Sequence, residues 1–290
     1  MRVEVKAIAC ELPSRLGVPL SRFFISEIRK EVMERGIVAK ISDTTLWRWL
    51  SQDAIRPWSV RSWIFPRDPD FSAKAGRVLD LYQDIWEEKA LGKRDFVVCA
   101  DEKTGLQALA RKHPVSPPGP GRAMRVEHEY QRGGPMAYLA ALDVKRGSVF
   151  GRCEERSGID PFERLVEQAM SRQPYLSARR VFWIMDNGSF HRGERCVERL
   201  KGKWKNLVPV HLPVHASWLN QVEIYFSVVK RKVLTPNDFS SLAELEERLL
   251  GFQERYSEIA EPFEWNFTRA DLDRLMRKLD GDNRSVLKAA

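Results

Sequence analysis

Two short stretches constrain this chain more than any others: DFVVCADEKT, starting at Asp95, and RRVFWIMDNGSFH, starting at Arg179. Each is an unbroken apolar run that ends in an acid. Such a run, without polar alternation, is the mark of a strand buried on both faces. An Asp at the end of that strand stands among apolar neighbours, where an unpaired carboxylate is costly unless a partner or a cation meets it.

The elements around these runs build an α/β order. After the first run comes a proline-rich loop, HPVSPPGPGR, and then two strand-like segments, MRVEHEY from Met124 and MAYLAALDV from Met136. Arg132, Gly133, Gly134 and Pro135 read as the hairpin connection between them. GSVFGRC extends the pair into a three-stranded meander. A helix from Pro161 to Arg172 precedes the second buried run. A helix from about Glu194 to Leu200, a strand Leu207 to His211, a long helix from about Leu219 to Val233 and a Ser240-capped helix Leu242 to Tyr256 follow. The amphipathic FTRADLDRLMRKL then closes the core.

Upstream of Asp95 the texture is helical and basic. ISEIRKEVME places Ile25, Ile28, Val32 and Met33 at helical spacing and ends at Gly36. Ser42 and Asp43 offer N-caps for a second helix, TTLWRWLSQDA, whose Leu46, Trp49 and Leu50 form the buried stripe. Two short helices around a glycine turn read as helix-turn-helix, with Thr44, Thr45, Trp47 and Arg48 on the less apolar side, where a recognition helix meets the major groove. The stretch from Arg56 is an extended connector rich in proline and tryptophan. Its Arg56, Arg61 and Arg67 can touch phosphates, while Trp58, Trp63 and Phe65 can anchor it to the next domain, the commoner role of such aromatics, and a helix from Ala75 to Lys89 follows it. The expected organisation is a helix-turn-helix region at 1–56, a connector and helix at 57–94, and an α/β domain at 95–290.

Charge agrees with a polyanionic partner. Lys and Arg number 48 against 40 Asp and Glu, a net +8, and residues 15–67 alone hold ten basic against five acidic side chains. No apolar run has the length of a membrane helix and no signal peptide is visible, so a cytoplasmic chain, nucleoid-associated when bound to DNA, is expected. Cys10, Cys99, Cys153 and Cys196 stand singly with no C-x-x-C pair, against both a zinc knuckle and a disulfide framework. His211 and His215 have Pro213 between them, which argues against a zinc site on one helix face.

Asp101 and Asp186 end the two buried runs, and Glu223 lies within LNQVEIYF near the start of a helix. Three convergent carboxylates suit hard divalent cations, Mg²⁺ or Mn²⁺, and two such ions serve phosphodiester chemistry by activating one oxygen and stabilising the departing one. Lys103 and Lys230 lie close in sequence to these acids, where cations can track phosphates.

The blocks ADEKT, DNGSFH and LNQVEIYF, in this order, resemble the three catalytic motifs of IS630-type insertion-sequence transposases of the Tc1/mariner superfamily. The matching residues are Asp101 with Glu102, Asp186 with Asn187 and His191, and Asn220 with Glu223; 36 residues separate Asp186 from Glu223. The resemblance implies an RNase H-like catalytic domain, a mixed sheet flanked by helices, behind a small all-α helix-turn-helix region. It implies Asp101, Asp186 and Glu223 as a catalytic, metal-binding triad. Glu102, Asn187, His191 and Asn220 would hold the triad in place. It further implies hydrolysis at the ends of a DNA element, strand transfer into double-stranded target DNA at TA sites, and a homodimer that joins two ends. Gln221 departs from the family, which has Pro there. The upstream segment has room for one helix-turn-helix unit where family members commonly carry two. The competing readings are a helix-turn-helix regulator whose α/β domain only dimerises or binds a ligand, and a catalytically idle, N-terminally truncated transposase remnant.

Overall fold

The computed structural model describes residues 1–59, 66–188 and 194–288. The chain divides into two compact units, Met1–Ile64 and Phe65–Ala290.

In the first unit, α1 (Arg2–Cys10), α2 (Ile25–Glu34) and α3 (Asp43–Gln52) enclose a small core. Helical spacing sets Ile28 and Val32 on one side of α2, and Leu46 and Leu50 on one side of α3. These pack with Val5, Ile8 and Phe23, while Trp49 is only partly buried against them. Ser42 caps α3 by accepting the Thr45 N–H at 3.2 Å, and Gly36, at φ 67°, turns the chain after α2. The sequence reading assigns no element to α1. Two amphipathic helices alone leave their apolar faces half covered, and Val5 and Ile8 of α1 supply the missing wall.

The second unit opens with α4 (Phe71–Tyr82), followed by a two-stranded hairpin of β1 (Ile85–Trp86) and β2 (Lys89–Ala90). The helix expected from Ala75 to Lys89 therefore stops early. Asp84, Glu87 and Glu88 all take positive φ, which an α-helix cannot hold. Phe71, Ala75, Val78, Leu79 and Leu81 are buried in the core of this unit. The break between units thus falls at Ile64/Phe65, upstream of the change in texture at Asp95.

Next come β3 (Asp95–Ala110), β4 (Gln131–Asp143), β5 (Val149–Glu154), α5 (Ile159–Met170), β6 (Arg180–Met185), α6 (Glu194–Lys203), β7 (Leu207–His211), α7 (Val222–Lys232), α8 (Leu242–Glu258) and α9 (Arg269–Lys288). The sheet order is β5-β4-β3-β6-β7. β4 runs antiparallel to β3 and β5, and β6 runs parallel to β3 and β7.

The apolar runs are continuous because both sheet faces are covered. Val97 and Cys99 of β3, with Phe182 and Ile184 of β6, pack against residues of α4, α7 and α8. The alternate residues Phe96, Val98 and Ala100, with Val181, Trp183 and Met185, pack against α5 and α6. At the start of this strand pair Asp95 is opposite Arg180. Arg180 Nε and Nη2 donate to the Asp95 carboxylate at 3.1 and 2.9 Å, and Gly92 N–H adds a bond at 2.9 Å. The Arg180 fork holds the Asp95 carboxyl below the usual carboxylate range, against the cost of burial.

Two further expectations change. MRVEHEY is not a strand: Met124 and Tyr130 are exposed, so no core holds it, and residues 111–130 make only the isolated bridges Ser116–Arg125 and Gly119–Arg122. Arg132, Gly133, Gly134 and Pro135 lie inside β4, where the glycines accompany slips in register against Lys103–Leu109 of β3 and do not reverse the chain. The cap of α8 is Ser241, whose Oγ accepts Glu244 N–H. Ser240 instead donates its N–H and hydroxyl to the Glu244 carboxylate. The C-terminal helix does close the core, through Leu272, and Arg269 forks onto Asp80 of α4 at 2.8 Å.

Tyr138 of β4 crosses the core to meet Tyr225 of α7, hydroxyl to hydroxyl at 2.9 Å, and its ring lies directly over Gly151 of β5. A β-carbon at position 151 would overlap that hydroxyl. Gly151→Ala should therefore destabilise the second unit by about 1–3 kcal/mol, read as a lower urea midpoint at unchanged slope.

Candidate active site

Strand register assembles the first two acids. β3 and β6 pair in parallel as far as Cys99 opposite Ile184, Asp101 and Asp186 each follow two residues later, and the charge of Asp186 is felt at Asp101. Because alternate residues share a face, both acids extend the row of Cys99 and Ile184, on the side covered by α7. Glu223 stands in the first turn of α7, which is anchored on that face by Val222, Tyr225, Phe226 and Val229.

The turn before α7 is pinned to β3. Asn220, almost fully buried, donates its Nδ2 to the Ala100 carbonyl at 3.0 Å and to Asp101 Oδ2 at 3.4 Å. Tyr82 Oη donates to the Leu219 carbonyl at 2.6 Å, one residue earlier. Gln221, where the resembled family has Pro, is buried in the αR conformation and starts α7. A short 3₁₀ turn, Ser217–Leu219, precedes it, so α7 begins later than the apolar pattern suggests. Asp101 Oδ1 accepts the Glu102 N–H at 2.8 Å, and Asp186 Oδ1 accepts the Gly188 N–H at 2.8 Å. Asn187 Nδ2 donates to the Leu212 carbonyl and ties this loop to the end of β7.

Asp101 is 8% exposed. Burial pushes its pKa up to about 7; the Glu102 N–H pulls it down, and the nearby charges of Asp186, Glu102 and Glu223 raise it again. Asp186 and Glu223 are half-buried. Among the described residues no three of His, Cys, Asp and Glu stand close enough to hold one ion as they are. The donor set nevertheless fits a hard divalent cation: every oxygen is a carboxylate or amide oxygen, like charges crowd together, and Asn220 Oδ1 is buried beside Asp101 without a hydrogen-bond partner.

The structure brings together Asp101, Asn220 and the charges of Asp186, Glu102 and Glu223. His191 and Arg61 lie outside the described residues. Lys103 is half-buried two residues beyond Asp101 on the same face of β3, and Lys230 is exposed on α7, about two turns from Glu223. In the first unit Thr44, Trp47, Arg48 and Arg56 are exposed, while the Thr45 hydroxyl is engaged with Ser42 Oγ at 2.9 Å. The cysteines are free thiols. Sequence reasoning misses Tyr82, Gly188 and His215. His215, weighed only as a zinc ligand, lines a cavity of about 300 Å³ together with Asp186. Its proximity arises from the β6–β7 pairing, so no local pattern announces it.

Three antiparallel strands followed by two parallel ones, with helices on both faces and acids at the ends of β3's buried run and β6, define an RNase H-like nuclease fold. The DDE superfamily endonuclease model matches residues 96–246, more than half of the chain, and the chain belongs to that family. Its fold is similar to those of Mos1 mariner structures. These include a paired-end complex with Mn (TM-score 0.52, 11% identity, 97% of this chain and 77% of that one). A strand transfer complex gives TM-score 0.52 and 12% identity over 97% and 76%. A paired-end complex with Mg gives TM-score 0.51 and 11% identity over 90% and 73%. At such identity the likeness is one of fold. No curated protein sequence matches the chain. Among the described residues no helix is long and apolar enough to cross a membrane.

The raised pKa of Asp101 has a thermodynamic sign. The folded chain holds this proton up to about pH 7, whereas the unfolded chain releases it near 3.8. The stability it contributes is full below about pH 4 and is lost as pH rises through about 7. In chelator, the melting temperature of the wild type should fall more between pH 5 and pH 8 than that of Asp101→Asn, which has no proton to lose at that position.

Proposed function

We propose that the chain is a DNA transposase of the Tc1/mariner type, in its IS630-like branch, which cleaves the ends of a DNA element and joins them to target DNA. The observation that supports this reading is the parallel pairing of β3 and β6 just before Asp101 and Asp186, with the charges of Asp186 and of Glu223 in the first turn of α7 both felt at Asp101. The family adds endonuclease chemistry. The Mos1 structures, complexes with transposon ends and with Mn or Mg, support the choice of substrate and metal.

Asp101, Asp186 and Glu223 would hold two Mg²⁺ or Mn²⁺ ions, whose charge also offsets the mutual repulsion of the carboxylates. Bound there, such ions supply Lewis-acid stabilisation of a phosphodiester and a more acidic attacking hydroxyl. Asn220 and the Glu102 amide orient Asp101, and the Gly188 amide orients Asp186. Asn187 ties the loop after Asp186 to the end of β7, and His191 joins this supporting set by its match to the second motif. Lys103 and Lys230 contact the phosphate backbone, while Thr44, Thr45, Trp47, Arg48 and Arg56 of the 1–56 region and Arg61 of the connector contact duplex DNA. Target choice at TA steps and a homodimer that brings two element ends together complete the reading.

Supercoiled plasmid provides a substrate that needs no knowledge of the element ends. Nicking in Mg²⁺ or Mn²⁺ should fall more than about 10²-fold in Asp101→Asn, Asp186→Asn and Glu223→Gln, since each removes several kcal/mol of charge stabilisation. A wild-type chain that binds DNA but never nicks it would overturn the transposase reading in favour of a regulator or an idle remnant. Arg48→Ala should weaken duplex binding across all sequences and reduce the slope of log affinity against log salt by about 1.

A further inference from the structure

The cavity beside Asp186 has a second wall that the triad does not use. Besides Asp186 and Gly188, its lining includes Pro213, His215 and Ser217 from the segment after β7. His215 is exposed, so its imidazole is open to a ligand entering this space. Its backbone is left-handed, at φ 61°. A side-chain-bearing residue takes that conformation at a cost of about 1–3 kcal/mol and keeps it only where its surroundings impose it.

Those surroundings begin far away in sequence. Asp68, 7% exposed, accepts the Val214 N–H at 3.1 Å, immediately before His215. A carboxylate in so dry a place needs full satisfaction, and it has it: Lys74 Nζ donates to both oxygens at 3.0 and 2.9 Å, and the Asp70 N–H donates at 3.0 Å. On the other side, Ala216 N–H returns to the Pro213 carbonyl at 3.2 Å. The buried Asp68 carboxylate, paired with the half-exposed Lys74, ties the loop amide of Val214 to the segment before α4.

We infer that His215 is a further DNA-contacting residue of the cleavage site, donating an imidazole N–H to a phosphate or base edge beside Asp186, and that Asp68 is its positioning residue, acting through the Val214 amide. This rests on the reading of Asp101, Asp186 and Glu223 as a nuclease centre. Asp68 touches no substrate; its effect passes through the backbone of the segment that presents His215.

Two arms on the full chain separate this assignment from the nuclease reading itself. In the first, diethylpyrocarbonate labels exposed imidazoles, and mass spectrometry follows each histidine with and without a random-sequence duplex, Ca²⁺ being the only divalent ion. Bound DNA should slow labelling of His215; an unchanged rate overturns the assignment whether or not the chain nicks DNA. In the second arm, His215→Ala should lower plasmid nicking about tenfold at saturating Mn²⁺ with the Mn²⁺ half-saturation unmoved, and His215→Gln, which keeps an N–H donor, should recover most of the loss. Asp68→Ala should give a smaller loss, and the double variant Asp68→Ala/His215→Ala should be no slower than His215→Ala alone. Additive losses, or a shifted Mn²⁺ half-saturation in His215→Ala, would show a merely structural or metal-linked role and overturn it. A wild-type chain that fails to nick overturns the nuclease reading, and the labelling arm then decides the fate of His215.

Discussion

Like charges gathered at the rim of an apolar core are the constraint to which the second unit is built. The charges of Asp186, Glu102 and Glu223 all disfavour a charge on Asp101, which also loses most of its water. Each backbone or amide donor around them answers part of that cost. The Glu102 and Gly188 amides and the Asn220 side chain each take one carboxylate oxygen, while the Arg180–Asp95 fork fixes the same two strands at their opposite end. Burial, with the nearby carboxylates, leaves the Asp101 pKa raised to about 7, so the charged form is the disfavoured one there.

The alternation of a doubly covered sheet decides where those charges go. Even-numbered residues of β3 near its start face α5 and α6, and odd-numbered ones face α4 and α7. In β6 the parity is reversed, and the register between the strands restores agreement, so that 99 meets 184. A slip of one residue would send one acid to the opposite face and leave it buried against α5 or α6 with no partner. The dense apolar packing on both sides is therefore also what keeps the acids convergent.

Much of this is visible in the residues themselves. DFVVCA and VFWIM show their burial by lacking polar alternation, and the acids that follow them, with Glu223, mark the site. Register is not visible locally, because pairing partners are chosen by the whole sheet, and so the nearness of His215 to Asp186 stays hidden. Turn chemistry misleads where it is overruled. Arg132–Pro135 has the composition of a reversal but continues β4, which pairs along β3 through two irregularities. The hairpin after α4 turns on Glu87 and Glu88, both at positive φ, where Asn or Gly would have announced it. Helical periodicity carries through Tyr82 unopposed, and only the fold stops it.

One tie has a practical bearing. Tyr82, at the end of α4, reaches Leu219 just before the residue that grips Asp101, and its ring packs edge-on against Trp265 at a centroid distance of 5.2 Å. Together with the Arg269–Asp80 fork, this makes α4 a strut between the Leu219–Asn220 turn and the C-terminal helix. A nuclease fragment trimmed to the start of the family match at residue 96 would lose that strut, the Asp95 half of the strand clasp and the Asp68 clasp on Val214. A fragment that keeps all three of these ties begins upstream of Asp68.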